Sequence, residues 1–359
     1  MGKAKFSKPE DKKVVNLSTL DTSQPLFKGY TMNETMERAK NMEIPRMLFS
    51  EFIYEKDLTI LYSPAGVGKT ILAYQIADSI ARGTQIAGFK NESQPQPTIY
   101  FDFELSEKQV ENRYSQNFED TWVNHYNFSD NFHRYFFNNE FEGNLSIDSL
   151  FNGLITEILN KKAKIVFIDN ITWINNQGLE TSKDAGLVMK KLISLKREYN
   201  LTLIVLAHTP KKLRFTKMEI NNLQGSAMIG NFTDASFSIN WSKLNTNYRY
   251  LKTQKCRYAE DKYHSKNVIT LEVKYIEPNF LGYEMIQPDM ENVIEDNHLT
   301  SKDDVTTKVF TKEKLDERTL EVKNLLKENP DLSSRQLEDE TGVNRTTCAR
   351  IKKEFLDGN

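Results

Sequence analysis

The chain has 359 residues, with 48 basic and 50 acidic side chains, a formal net charge of −2 and a mean hydropathy of −0.59. That length suits one large domain with a smaller companion, and the balanced charge excludes a whole-molecule attraction to nucleic acid, so any such surface has to be local. Cys256 and Cys348 lie too far apart for a disulfide framework or a metal-ligand spacing, which points to a reduced, cytoplasmic protein, and neither an apolar leader nor a membrane-spanning run is expected.

Residues 1–27 are polar and charged and read as a loosely draped arm. A short helix around Asn33 to Lys40 and the segment Pro45 to Phe49 then lead toward the sheet edge and read as structural. Leu58 to Tyr62 is an apolar strand. It runs into Ser63-Pro64-Ala65-Gly66-Val67-Gly68-Lys69-Thr70 and then into a periodic helix from Ile71 to Ala81. Strand, glycine-bearing loop and helix N-terminus in that order make a phosphate cradle, because loop N–H groups and the positive helix end converge on phosphate oxygens. Lys69 would reach the β- and γ-phosphates of ATP, the Thr70 hydroxyl would ligate Mg²⁺, and Ile71 opens the helix beside them. Ser63 departs from the Walker A pattern, which has glycine there.

Thr98 to Glu104 is a buried-type strand ending in an acid, at the edge where open α/β sheets bind ligands. A strand at about His133 to Phe137 and a helix from Ile147 to Leu159 follow, and Lys164 to Asp169 is then an apolar strand closing on an aspartate. With a Walker A loop upstream, Asp169 fits a Walker B role holding Mg²⁺; taken alone it also fits a turn or helix-capping residue. Asn170 follows it, where AAA+ enzymes usually place a catalytic glutamate. Glu104 is thus the available acid to activate the attacking water, the alternative being a solvated strand-end carboxylate.

A helix from Ala185 to Tyr199 precedes the strand Leu201 to His208. His208 fits either a γ-phosphate sensor or a hydrogen-bonded structural histidine. The next loop carries Lys211, Lys212, Arg214 and Lys217 with Phe215 interleaved, a pattern suited to a single-stranded phosphate backbone but also to a solvated basic loop. Strands at Ala235–Trp241, Tyr248–Lys255, Val268–Ile276 and Leu281–Ile286 would extend the sheet as late hairpins. Lys255 and Arg257 point the same way from a strand end, either as surface decoration or as charges delivered to a neighbour's phosphate.

Residues 287–313 read as a linker, and residues 314–359 as a helix-turn-helix of three short helices, the second capped at Ser333 or Ser334 and followed by a turn at Thr341 to Asn344. Its last helix would present Arg345, Thr346, Arg350 and Lys353 to duplex DNA, unless the near charge-balance of the tail marks a small protein-docking bundle. The fold expected for residues 28–286 is α/β, with a mainly parallel sheet and late antiparallel hairpins.

Together, Ser63 to Thr70, Glu104, Asp169-Asn170, His208 and Lys255-Cys256-Arg257 resemble the RecA-like P-loop ATPases, in particular the plasmid RepA type of hexameric replicative helicase, over about residues 45–286. The resemblance implies a RecA-like core in a hexameric homo-oligomer, with ATP at subunit interfaces. It also implies single-stranded DNA in a channel lined by the loops after Asp169 and His208. Lys255 and Arg257 match that family's Lys-x-Arg element of trans-acting cations. Ser63, His208 in place of the recombinase glutamine, and the lack of room before residue 45 for a DnaB-like helical domain are departures. The expectation is an ATP-hydrolysing DNA motor of a plasmid, phage or mobile element, with a nucleotide-switched DNA-binding regulatory ATPase as the alternative. A small-molecule kinase would have no use for the basic loop or the tail.

Overall fold

Apolar residues alternate along the central strands so that each strand feeds two cores, one on either face of a single sheet. In β3 (Leu58–Ser63), Leu58, Ile60 and Tyr62 enter one core while Leu61 enters the other. In β8 (Ile165–Asp169), Val166 and Ile168 oppose Ile165 and Phe167 in the same way, and in β9 (Thr202–His208), Leu203 and Val205 oppose Ile204 and Leu206. The first face is covered by α4 (Ile147–Lys161) and α6 (Ser182–Tyr199), the second by α2 (Lys69–Arg82).

A computed structural model describes residues 27–119, 121–143, 145–176, 182–209, 218–219, 230, 232–265, 267–276, 278–286, 322–327, 329, 332–341, 348–349 and 351–352. The chain divides into two units, Met1–Ile44 and Pro45–Asn359. In the first, α1 (Met32–Lys40) is closed by a capping box between Thr31 and Glu34 and buries none of its residues.

In the second unit, β1 (Met47–Phe49) and β2 (Ile53–Tyr54) form a small ribbon whose connection brings Phe49 and Phe52 against Phe89 and Phe237. The remaining strands of the main sheet are β4 (Thr98–Asp102), β7 (Phe132–Tyr135), β10 (Ala235–Trp241), β11 (Tyr248–Cys256), β12 (Ile269–Ile276) and β13 (Phe280–Met285). Their order across the sheet is β13-β12-β11-β10-β3-β9-β8-β4-β7, parallel from β10 to β7 and antiparallel from β10 to β13. This is the expected α/β architecture of a RecA-like core, with late hairpins widening a parallel sheet. One strand, β9, separates the phosphate-loop strand β3 from β8. Ser63 and His208 stand opposite each other in register, as do Asp102 and Asp169.

The sequence expectation contained neither the β1–β2 ribbon nor α3 (Glu107–Arg113), the hairpin β5 (Gln116–Phe118) with β6 (Thr121–Val123), or α5 (Ile171–Asn176). The strand expected to run through Glu104 ends at Asp102, because Asp102 Oδ1 accepts the Glu104 and Leu105 N–H groups and turns the chain off the sheet. In the tail, a helix at Ser334–Thr341 is capped by Ser333 through a box with Gln336, and Val322, Leu326, Leu337, Cys348 and Ile351 form their own buried cluster. The linker 287–313, and Arg345, Thr346, Arg350 and Lys353, lie outside the described residues. No described helix is long and apolar enough to cross a membrane.

Candidate nucleotide site

The carboxyl ends of β3, β4, β8 and β9 converge on a cavity of about 200 Å³ lined by the Ser63–Ile71 loop, Glu104, Leu105, Arg113 and His208. Two glycines shape the loop. Gly66 has φ +79°, and Gly68, the N-cap of α2, has φ +106°. A Cβ on Gly68 would lie 2.1 Å from the Tyr283 hydroxyl, so glycine is required there by backbone conformation and by space. Ser63, where the Walker pattern has glycine, is accommodated because its hydroxyl turns back and donates to the Pro64 carbonyl at 2.8 Å.

The loop is held from behind by the antiparallel strands. Arg249 Nε of β11 donates to the Val67 carbonyl at 2.8 Å, and the Tyr283 hydroxyl of β13 donates to the Val67 and Gly68 carbonyls at 3.2 and 3.3 Å. Gln75 of α2 exchanges hydrogen bonds with the backbone of Tyr283, fixing that helix to the same strand. Tying these carbonyls from behind suits a loop whose N–H groups must serve a phosphate.

Lys69 is buried at the head of α2. Thr70 Oγ1 donates to Asp169 Oδ2 at 2.7 Å, and the Tyr100 hydroxyl donates to the same oxygen at 2.8 Å. Asp169 Oδ1 is buried without a hydrogen-bond partner. Complete burial pushes the Asp169 carboxyl up, against the charge of Lys69. A hydroxyl and a carboxylate with one unsatisfied oxygen are hard donors of the kind Mg²⁺ takes, few in number because this ion keeps most of its water. Among the described residues no cluster of three or more His, Cys, Asp or Glu offers a competing all-protein metal site.

Glu104 occupies the turn beyond β4. Asn170 Nδ2 donates to its Oε1, and His208 Nε2 is 2.9 Å from the same oxygen. Burial would raise the Glu104 carboxyl, but the bonds from His208 and Asn170 and the charge of Lys69 outweigh it and hold the group below its ordinary value. Glu104 therefore stays an ionised carboxylate at neutral pH. The other His208 ring nitrogen, Nδ1, is buried without a partner.

Arg113, at the end of α3, also lines the cavity, and its Nη1 is buried without a hydrogen-bond partner. An arginine held in that state beside a phosphate cradle is suited to an anion. Its only local signal was the Ser106 and Gln109 capping box that starts α3, with Ser106 Oγ accepting from Gln109 N. Arg249 and Tyr283 carried none, since they reach the loop from 182 and 216 residues along the chain.

Lys255 and Arg257 are not part of this cavity. β11 runs antiparallel to β10, placing them at the opposite end of the sheet, where Lys255 Nζ donates to the Gly230 carbonyl at 2.8 Å and Arg257 pairs with Asp234 at 3.4 Å. Asp234 in turn accepts the Leu58 N–H at the start of β3 and the Lys196 ammonium. Five residue steps separate Leu58 from Ser63, roughly 17 Å along the strand. Lys211, Lys212, Arg214 and Lys217 lie outside the described residues; the segment that carries them begins where β9 ends, with Thr209 N donating to the Ser63 carbonyl at 3.1 Å.

A nine-stranded, largely parallel sheet with a phosphate loop, a threonine–aspartate pair and a hydrogen-bonded carboxylate beyond its carboxyl edge defines a RecA-like P-loop ATPase, a class that uses ATP and typically Mg²⁺. Residues 9–213, more than half of the chain, match the AAA domain family, and the chain belongs to it. The KaiC-like protein PH0186 from the hyperthermophilic archaeon Pyrococcus horikoshii OT3 is similar in structure at 16% identity and a TM-score of 0.45, over 66% of this chain and 91% of that one. No curated protein matches the sequence.

Proposed function

We propose that this ATPase is a DNA motor, a ring-forming replicative-type helicase of a plasmid, phage or mobile element whose hydrolysis is gated by single-stranded DNA. The observation that carries the reading is the contact between Glu104 and His208. The base that readies water is hydrogen-bonded to the last residue of β9, three positions before the run of Lys211, Lys212, Arg214 and Lys217. A strand of phosphates held by that segment would bear directly on the base. The far-end placement of Lys255 and Arg257 supports the ring: they are too distant to serve their own subunit's ATP but are suited to a neighbour's.

In this mechanism the loop N–H groups, Lys69 and Arg113 grip the phosphates. Thr70 and Asp169 would hold Mg²⁺, which when bound would supply positive charge against the phosphates. Glu104, oriented by Asn170 and His208, accepts a proton from the attacking water. Arg257 of the adjacent subunit meets the charge that builds on the γ-phosphoryl oxygens.

Turnover measured with and without single-stranded DNA, alongside the particle mass in ATP and strand displacement on a forked duplex, tests the proposal. Stimulation, a hexamer and displaced strand are expected. Stimulation without displacement would replace the motor with the regulatory alternative, a nucleotide-switched protein using its tail to reach duplex DNA or a protein. Turnover indifferent to DNA would overturn both.

A further inference from the structure

We infer that Asp102 and Arg134, joined by Tyr74, form a clamp whose task is to position Glu104 for water activation. The inference rests on the reading of Glu104 as the base.

Asp102 is the last residue of β4 and its side chain is fully buried. Both of its oxygens are engaged. Oδ1 accepts the N–H groups of Glu104 at 3.0 Å and Leu105 at 2.9 Å, while Oδ2 accepts the Tyr74 hydroxyl at 2.7 Å and Arg134 Nε at 2.9 Å. Arg134, on the edge strand β7, uses a second arm, Nη2, to donate to the Leu105 carbonyl. The turn bearing Glu104 is therefore tied through its amides by Asp102 and through its carbonyl by Arg134. Tyr74 links the same carboxylate to α2, the helix that begins with Lys69 and Thr70. Burial, with the negative charge of Asp102 beside it, pushes the Tyr74 hydroxyl up, so it remains a donor.

The arrangement is more than a helix cap or a chance ion pair. The turn lies between two cavities: the phosphate cavity, and one of about 340 Å³ lined by Asp102, Glu104, Leu105, Arg134, Phe137 and Trp173. With open space on both sides, packing alone does not fix the turn: the clamp ties its backbone, while Asn170 and His208 hold the carboxyl at its tip. Displacement of a catalytic group by about 1 Å can cost on the order of 10²-fold in rate. The groups facing the Glu104 carboxyl, Lys69, His208, Asn170 and Asp169, are none of them members of the clamp.

The test uses the full chain with Arg134→Lys, Arg134→Gln and Tyr74→Phe, reading turnover of ATP with Mg²⁺ and calorimetric binding of ADP. Arg134→Lys keeps one charge beside Asp102 but loses the fork that reaches Leu105. It should lower kcat about 10-fold with ADP affinity within 2-fold, and Arg134→Gln should lower kcat about 10². Tyr74→Phe, which removes one oxygen, covers the case in which Arg134→Gln fails to fold, and should lower kcat a few-fold. Placed on Glu104→Gln, the Arg134→Lys change should cost nothing further in single-turnover rate, since it acts through that side chain. Normal kcat in both Arg134→Lys and Tyr74→Phe, or equal losses of ADP affinity and kcat, would overturn the clamp. Full turnover by Glu104→Gln alone would instead remove the base assignment on which it rests.

Discussion

Arg257→Ala separates stability from chemistry by size. In its own subunit Arg257 pairs with Asp234 at 3.4 Å with 56% of its side chain exposed, an ion pair worth less than about 1 kcal/mol after solvent screening. Asp234 keeps Lys196 at 2.6 Å and the Leu58 amide at 2.9 Å, so its truncation leaves no stranded carboxylate. ATP binding, set at the other end of β3, should be unchanged. A guanidinium delivered to the γ-phosphoryl oxygens of a neighbour is worth about 10³ to 10⁵ in rate, or about 4 to 7 kcal/mol of barrier. The variant should therefore melt and bind ATP nearly as the parent does, yet turn over at least about 10³ more slowly.

Lys69→Ala should lack tight nucleotide binding while keeping Arg257. In an equal, random mixture of the two variants, about a quarter of head-to-tail interfaces would join an intact Lys69 to an intact Arg257, and hydrolysis should return there. Steady-state phosphate release across a mixing series is the assay. Near-parental turnover of Arg257→Ala alone, or a mixture no faster than its components, would refute the trans assignment.

Glu104→Gln preserves an oxygen for Asn170 and His208 but removes the charge, so nucleotide binding should persist while kcat falls by about 10² to 10⁴. Because the folded carboxyl lies below its ordinary 4.5, it is ionised throughout neutral pH: turnover should be flat from about pH 6 to 8 with respect to this group, and its stabilising contribution, present above the unfolded value, is lost only as pH falls through the folded one. An acid limb near neutrality that vanishes in Glu104→Gln would contradict this. Gly68→Ala should weaken ADP binding by about 5-fold to about 10²-fold, since holding the left-handed backbone with a side chain costs on the order of 1–3 kcal/mol. Adding Tyr283→Phe removes the hydroxyl that the new Cβ would meet at 2.1 Å and should restore part of that loss, as read by calorimetry. Neutralising Lys211, Lys212, Arg214 and Lys217 together should flatten the salt dependence of single-strand binding by up to about 0.7 in log–log slope for each phosphate left without its cation; an unchanged slope would remove this segment from the DNA path.

The parallel core was legible because buried strands announce themselves as short apolar runs, and each run here ends on a polar residue that the sheet then aligns. Ser63, Asp169 and His208 could be read one strand at a time, and their meeting follows from the strand order. What supports them could not. Arg249 and Tyr283 sit in amphipathic late strands whose local pattern speaks only of burial, and their purpose exists only after β11 and β13 have folded back against the phosphate loop. Arg113 stayed hidden because α3 has seven residues, too few to show a periodic face, and only its capping box marks it.

Asp102 shows how a local reading can identify the right segment and misplace its chemistry. Thr98 to Glu104 looks like one strand ending in an acid, but two acids two residues apart at a strand end are not equivalent. The first is still inside the sheet and fully buried, and its two oxygens have to be satisfied there by Arg134, Tyr74 and two amides. Meeting that demand bends the chain, and the bend carries the second acid out of the sheet plane to His208 and Asn170 beside the phosphate cavity. The burial of one carboxylate is thus the physical reason that the other reaches the site.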